Sequence, residues 1–226
     1  MNIVDWLLFA TWLVAAAIAV RSLSNSVRQY RALREVRRER RILALTRFAH
    51  AEHKGVDLVP RLIGEAMRGY TLVFMVGVGN PSDQYLEPIR AAAAKHGVKI
   101  EILEGLDEYG KWREFKRASL VLFPSFFEGF GLPPLEARYA GTPCVAFDLP
   151  VLREVSGDQL FYVPCGDVDA MRHKAEEILR SGEDFSYLHK NFGATGTFED
   201  FATRVDIALS RALHEGCVQR RDLAEL

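Results

Sequence analysis

Cysteine is scarce in this chain. The three residues, Cys144, Cys165 and Cys217, are odd in number and show no metal-binding or redox spacing. They give no disulfide framework, and a reducing compartment suits them best. Net charge is also nearly absent, at −1 from 29 basic and 30 acidic residues, so no nucleic-acid or other polyanionic partner follows from the total. Six histidines are scattered, with His50 and His53 close together but nothing to make either a metal ligand, and no Asp-x-Asp motif stands at a strand end. No metal site is expected. Internal repeats and low-complexity tracts are missing too. What remains is a 226-residue chain, 49% hydrophobic, with enough apolar material for a substantial core in one or two domains.

The first residues stand apart from the rest. Between 6 and 20 every residue except Thr11 is apolar, and Ile3 and Val4 extend the run. That length is at the short end of a membrane span. A signal peptide would carry a basic segment before the run, and no Lys or Arg precedes it. A buried helix of another domain is the third reading. The anchor is preferred because eight arginines follow between 21 and 41, opposed only by Glu35 and Glu39. Arginine beside a span marks the cytoplasmic side. The expected organisation is an anchor helix over 1–20 that enters the membrane through 3–20, and an Arg-rich linker over 21–40. A folded domain over 41–215 follows, held at the cytoplasmic face, then a tail over 216–226.

From residue 41 onward apolar strands alternate with amphipathic segments. Strands are expected at 42–46, 71–76, 98–103, 120–123, 143–147 and 161–163. Helical spacing recurs through Leu58, Leu62, Ile63, Ala66 and Met67, again through Tyr85, Leu86, Ile89 and Ala93, and over 108–117. Asp167 caps a later helix with Met171, Ala175, Ile178 and Leu179 inward, and a last one carries Phe201, Val205 and Leu209. Such alternation predicts an α/β, Rossmann-like parallel sheet with helices on both faces. Ligands in such sheets bind outside the C-terminal strand ends.

The stretch 124–148 falls at one of those ends. After the run Leu120-Val-Leu-Phe123 comes a loop with Gly129 and Gly131, then Pro133 and Pro134, which suit a first helical turn. Leu135, Tyr139 and Ala140 give the helix an apolar side, Gly141 stops it, and the next strand follows. Strand, glycine loop, helix, strand presents backbone N–H groups where an anion can dock. Glu128 and Glu136 flank the loop with seven residues between them. Alone, they would read as a solvated loop acid and a first-turn acid favoured by the helix dipole.

Together, Glu128-Gly-Phe-Gly-Leu-Pro-Pro-Leu-Glu136-Ala resembles the E-x7-E signature of retaining GT-B glycosyltransferases of group 1 (family 4). In that family the first strand of the C-terminal domain ends in a Gly-Arg pair, with Lys-Gly about six residues on. Arg47 and Lys54-Gly55 are similar, although Thr46 replaces the glycine and the loop is about one residue longer. The resemblance implies that Arg47 and Lys54 grip the diphosphate of a UDP-, GDP- or ADP-sugar donor, with backbone groups of Gly129, Phe130, Gly131 and Leu132 beside them. It implies that Glu128, the candidate catalytic residue, contacts sugar hydroxyls or lies near the reacting centre, and that Glu136 accepts hydrogen bonds from the ribose hydroxyls. No cofactor is required.

Weaker matches are Met75-Val-Gly-Val-Gly79, like the family's GxG turn, and Leu152-Arg-Glu154-Val, where Glu154 reads as structural. The resemblance covers about 41–215, the donor-binding half of a GT-B enzyme. It therefore implies a separate acceptor-domain partner, a catalytically incomplete donor-binding fragment, or a scaffold that kept the fold. A dinucleotide-binding oxidoreductase would need G-x-G-x-x-G after the first strand, and Arg47-Phe-Ala-His-Ala-Glu-His-Lys-Gly has no such glycines.

Overall fold

The computed structural model describes residues 38–46, 48, 51–76, 83–185 and 188, all of which belong to one compact unit. Six strands form a single sheet: β1 Arg41–Ala44, β2 Thr71–Val76, β3 Lys99–Glu104, β4 Leu120–Phe123, β5 Cys144–Phe147 and β6 Phe161–Val163. Their spatial order is β3-β2-β1-β4-β5-β6, and every pairing is parallel. The helices are α1 Ala51–Lys54, α2 Val59–Leu62, α3 Asp83–His96, α4 Glu108–Arg117, α5 Leu132–Tyr139, α6 Pro150–Ser156 and α7 Val168–Ser181. They cover both faces of the sheet, the Rossmann-like arrangement that the alternation predicts.

The central strands are buried on both faces, which is why β4, β5 and the rest of β1 after Arg41 read as apolar runs rather than as alternation. Ile42, Leu43, Leu72, Phe74, Leu120, Leu122 and Phe147 are each at most 1% exposed and form the middle of the core. Each such side chain contributes about 1.5–3 kcal/mol relative to exposure. At the edges the pattern changes. β3 carries Lys99, Glu101 and Glu104, and β6 is only three residues long, two ways of blunting an edge against further pairing.

The N-terminal ends of the strands are held by charge. Arg41 is 8% exposed, and its guanidinium donates to Glu114 Oε2 from Nη2 at 2.7 Å and to Glu101 Oε2 from Nη1 at 2.7 Å. Arg117 donates to the other oxygen of Glu114 at 2.6 Å and clasps Glu39 at 2.8 and 2.9 Å. The last residues of the expected linker therefore dock on this unit. Glu39 joins that network, Arg38 donates to the Gly141 carbonyl, and Arg40 stacks on Tyr70.

One expected helix is broken. The spacing from Leu58 to Met67 suggested a continuous helix, but the chain forms two short 3₁₀ turns, Val56–Leu58 and Glu65–Met67, on either side of the four-residue α2. Ile63 (ψ 121°) and Gly64 (φ −138°, ψ 177°) are extended, which interrupts the hydrogen-bond ladder. The apolar residues still point inward, because α2 packs beneath α3 and α7. The expected strand limits move by one or two residues: β1 begins at Arg41 and ends at Ala44, and β3 runs Lys99–Glu104. The helices expected at 1–20 and around Phe201 lie outside the described residues, as does the tail. Among the described residues no helix is long and apolar enough to cross a membrane.

Candidate functional site at the switch point

β1 pairs with β2 on one side and with β4 on the other, so the chain reverses its direction of travel across the sheet between these two strands. The loops that leave the C-terminal ends of β1 and β4 diverge there, opening the crevice in which parallel sheets bind ligands. Both loops carry residues of the glycosyltransferase motif. The first runs from Thr46 to Gly55, the second from Pro124 to Gly131.

Backbone and small polar side chains lock the two loops together. His53 O accepts from Phe126 N at 2.9 Å and from Ser125 Oγ at 3.2 Å, and Ser125 Oγ also reaches Phe127 O at 3.1 Å. Thr46 Oγ1 donates to Lys54 O at 2.8 Å and closes the first loop on itself. Gly55 has φ +62°, and a Cβ there would lie 2.2 Å from Pro124 O. Only glycine allows the first loop to press this closely on the second.

That contact aims Lys54 across the crevice. Its ammonium lies 2.6 Å from Glu128 Oε1 and 3.1 Å from Phe127 O. The pair is largely but not fully enclosed, with side-chain exposures of 20% and 12%. An ammonium has three N–H donors and two are used here, so one remains for an anion.

Beyond Glu128 the loop turns at Gly131, whose φ of +77° makes it the left-handed N-cap of α5. A Cβ at Gly131 would lie 2.2 Å from Leu152 Cδ2 of α6, so the turn and the packing of α6 both require glycine. Pro133 and Pro134 follow within the first turn of α5 and have no N–H to offer. The backbone N–H groups at this end of α5 therefore belong to Gly129, Phe130, Gly131 and Leu132. In and beside this turn large apolar side chains are exposed: Phe127 is 70% exposed, Leu132 43% and Phe126 37%. The Phe126 ring rests on Phe147, with centroids 5.1 Å apart.

Glu136 sits one turn into α5 and is far more enclosed than its position in a first turn suggests. Lys111 Nζ of α4 lies 2.8 Å from Glu136 Oε1 and also bonds Glu108 Oε1 at 3.1 Å. Burial pushes the Glu136 carboxyl above the ordinary glutamate range, and the Lys111 charge and hydrogen bond pull against that shift. Burial also works to lower the Lys111 ammonium, but Glu136 and Glu108 outweigh it and hold the group above the usual lysine value.

The expected site residues thus divide into groups. Lys54 and Glu128 meet, and Gly129 to Gly131 form the turn between Glu128 and α5, which begins at Leu132. Glu136 lies further along that helix, beside a lysine that the motif does not contain. Arg47, His50 and Gly79 lie outside the described residues. His53 is exposed and enters the site through its carbonyl, and Glu154 is exposed on α6. Among the described residues no group of three or more His, Cys, Asp or Glu side chains is placed to hold a metal. Lys111 was not legible beforehand. Its spacing to Glu108 suggests a solvated helical pair, and only the packing of α4 on α5 brings it to Glu136.

Several known proteins resemble this chain over part of their length. Over 73 residues the chain is 41% identical to an O-antigen chain mannosyltransferase B of Escherichia coli, a match covering 32% of this chain and 18% of that protein. It is 31% identical over 138 residues to a glycogen synthase 2 of Geobacter sulfurreducens, covering 60% of this chain and 25% of the other. Among solved structures, TarM superposes with a TM-score of 0.56 at 16% identity, over 76% of this chain and 35% of TarM. A sucrose-phosphate synthase from Thermosynechococcus elongatus gives 0.53 at 20% identity, over 82% and 46%. At such identities the structures speak for the fold alone, and the chain spans less than half the length of each of these proteins. The family model for glycosyl transferases group 1 matches residues 29–194. With Lys54, Glu128 and the Gly129–Gly131 turn gathered at the switch point of a parallel sheet, this chain belongs to the group 1 glycosyl transferase family.

Proposed function

We propose that this chain is the donor-binding, C-terminal-type half of a GT-B glycosyltransferase. It takes a sugar from a UDP-, GDP- or ADP-sugar and transfers it with retention at the anomeric carbon, completed by a separate acceptor-domain partner. The observation that carries this reading is the Lys54–Glu128 pair, which spans the switch point between two loops held in register by Gly55. In the transfer, the bond between the anomeric carbon and the diphosphate breaks and a bond to an acceptor hydroxyl forms, with release of the hydroxyl proton. Negative charge builds on the departing diphosphate. Lys54, Arg47 and the N–H groups of Gly129 to Leu132 stabilise that charge, the largest kind of contribution in such chemistry. Glu128 serves the reacting centre and Glu136 receives the ribose hydroxyls. No metal or other cofactor is invoked.

Isothermal titration of the full chain with UDP, GDP and ADP, beside Lys54→Ala and Glu136→Ala, tests this. Saturable binding of one nucleotide, weakened by both substitutions, is expected; a folded chain that binds none of the three refutes the donor site. The second reading is a donor-binding unit without turnover. Binding with no transfer to any acceptor, even when acceptor-domain proteins are supplied, would select it.

The hydrophobic run and the arginines after it support a further part of the reading, attachment through residues 3–20 to the cytoplasmic face of a membrane. Extraction of the expressed full chain checks this. Release by detergent but not by alkaline carbonate is expected, and release by carbonate counts against an anchor.

A further inference from the structure

Glu136 has two carboxylate oxygens, and the fold uses only one of them. Oε1 takes the Lys111 ammonium at 2.8 Å, whereas Oε2 accepts no hydrogen bond among the described residues. The side chain is 16% exposed, which leaves a narrow opening rather than a solvated surface. Lys111 is itself fixed. It bonds Glu108 one turn earlier on α4 and lies 5.8 Å from the centroid of the Trp112 ring. Lys111 and Glu108 are the charged groups that face Glu136. The other elements packed on α5, namely α6, β4 and β5, bring none to it among the described residues.

We propose that Lys111 is a positioning residue for the donor: it pins Oε1 of Glu136 so that Oε2 stays turned to the vicinal hydroxyls of a ribose. This rests on the reading of Glu136 as the ribose acceptor. A carboxylate in such a confined place is protonated readily unless a cation faces it, and a protonated carboxyl loses half of its capacity to accept a diol. Lys111 supplies that cation from outside the motif, so ribose recognition depends on the docking of α4 against α5.

The test titrates the full chain with its preferred nucleoside diphosphate and with the 2′-deoxy form, across a range of pH. It compares the unchanged chain, Lys111→Met and Lys111→Arg. Lys111→Met should bind the ribonucleotide about tenfold more weakly and lose the preference for ribose over 2′-deoxyribose. The acid limb of its binding curve should move up by about one pH unit. Lys111→Arg, which keeps the charge, should restore binding and pH profile. A merely structural role would weaken both nucleotides equally at every pH. Should Lys111→Met not fold, Lys111→Gln in the same titrations decides the matter. Unchanged or tighter binding without the charge overturns the positioning role while leaving the donor site standing. Absence of binding to the unchanged chain overturns the donor reading, and this one with it.

Discussion

Lys54 Nζ lies 2.6 Å from Glu128 Oε1 although 74 residues separate them in the chain. The pair joins the loop after β1 to the loop after β4, and the two side chains should contribute differently. Glu128→Gln keeps the shape and removes the charge that the proposed mechanism places next to the reacting centre. Donor turnover is expected to fall about 100-fold, the scale of losing one well-placed electrostatic group, with the donor Kd within about threefold of its starting value. Lys54→Met should weaken donor binding about tenfold, because the charge-assisted contact to the diphosphate in the proposed donor site goes. Single-turnover kinetics beside calorimetry separates the two. Equal losses of affinity, with turnover otherwise intact, would make the pair structural only.

Gly55 and Gly129 belong to the same site but face opposite constraints. Alanine at 55 must adopt φ +62° and place its Cβ 2.2 Å from Pro124 O, so the two loops have to part. A loss of about 2–3 kcal/mol is expected for Gly55→Ala. At 129 a Cβ meets nothing within 4 Å, and Gly129→Ala should change stability by less than about 0.5 kcal/mol. Urea denaturation of the two variants gives the comparison, and a similar cost at both positions would contradict the close approach of the loops.

Glu136 makes the protein sensitive to pH in a stated direction. Its carboxyl is raised in the fold by burial, so the folded chain keeps a proton that the unfolded chain has released. The contribution of this group to stability is therefore fully present below the unfolded glutamate pKa. It is lost as pH rises through the higher folded value. Glu136→Gln should flatten that part of the stability profile, as thermal unfolding across the range will show. Donor affinity should run the other way, falling as acid protonates Glu136 at a pH above the ordinary carboxylate range. A binding curve indifferent to pH there would remove Glu136 from the ribose site.

At the opposite ends of the strands, Glu114 is 1% exposed and accepts from both Arg41 and Arg117. Glu114→Ala leaves the Arg41 guanidinium buried, with Glu101 as its remaining hydrogen-bonded carboxylate among the described residues. Removing one partner of a buried pair costs about 3–5 kcal/mol. Chemical denaturation should show a loss of that order, with nucleotide affinity in the remaining folded protein unchanged. An affinity change would couple the two ends of the sheet.

The site was legible in part because its parts are local. Glu128, Gly129, Gly131 and Glu136 occur within one strand–loop–helix unit, and their spacing along the chain sets their order along the turn. Lys54 was singled out from its place after the first strand, but its distance to Glu128 follows from parallel pairing of β1 with β4, a contact no short window contains. Lys111 carries no signal in the sequence, because a lysine three residues after Glu108 has an ordinary local explanation. The helix expected from Leu58 to Met67 went astray for a related reason. Apolar residues at helical spacing also suit two tight turns around an extended Ile63-Gly64, and packing against α3 and α7 favours the turns.

By itself the sequence determined the alternation of strands and helices, the glycine turn and the acids that flank it. Each depends on backbone preferences and periodicities felt within a few residues. Tertiary structure alone decided the strand order, the crevice between β1 and β4, and which lysine faces which glutamate. Those depend on sheet pairing and on Coulomb attraction between groups 25 and 74 residues apart, acting only after the chain has brought them within 3 Å.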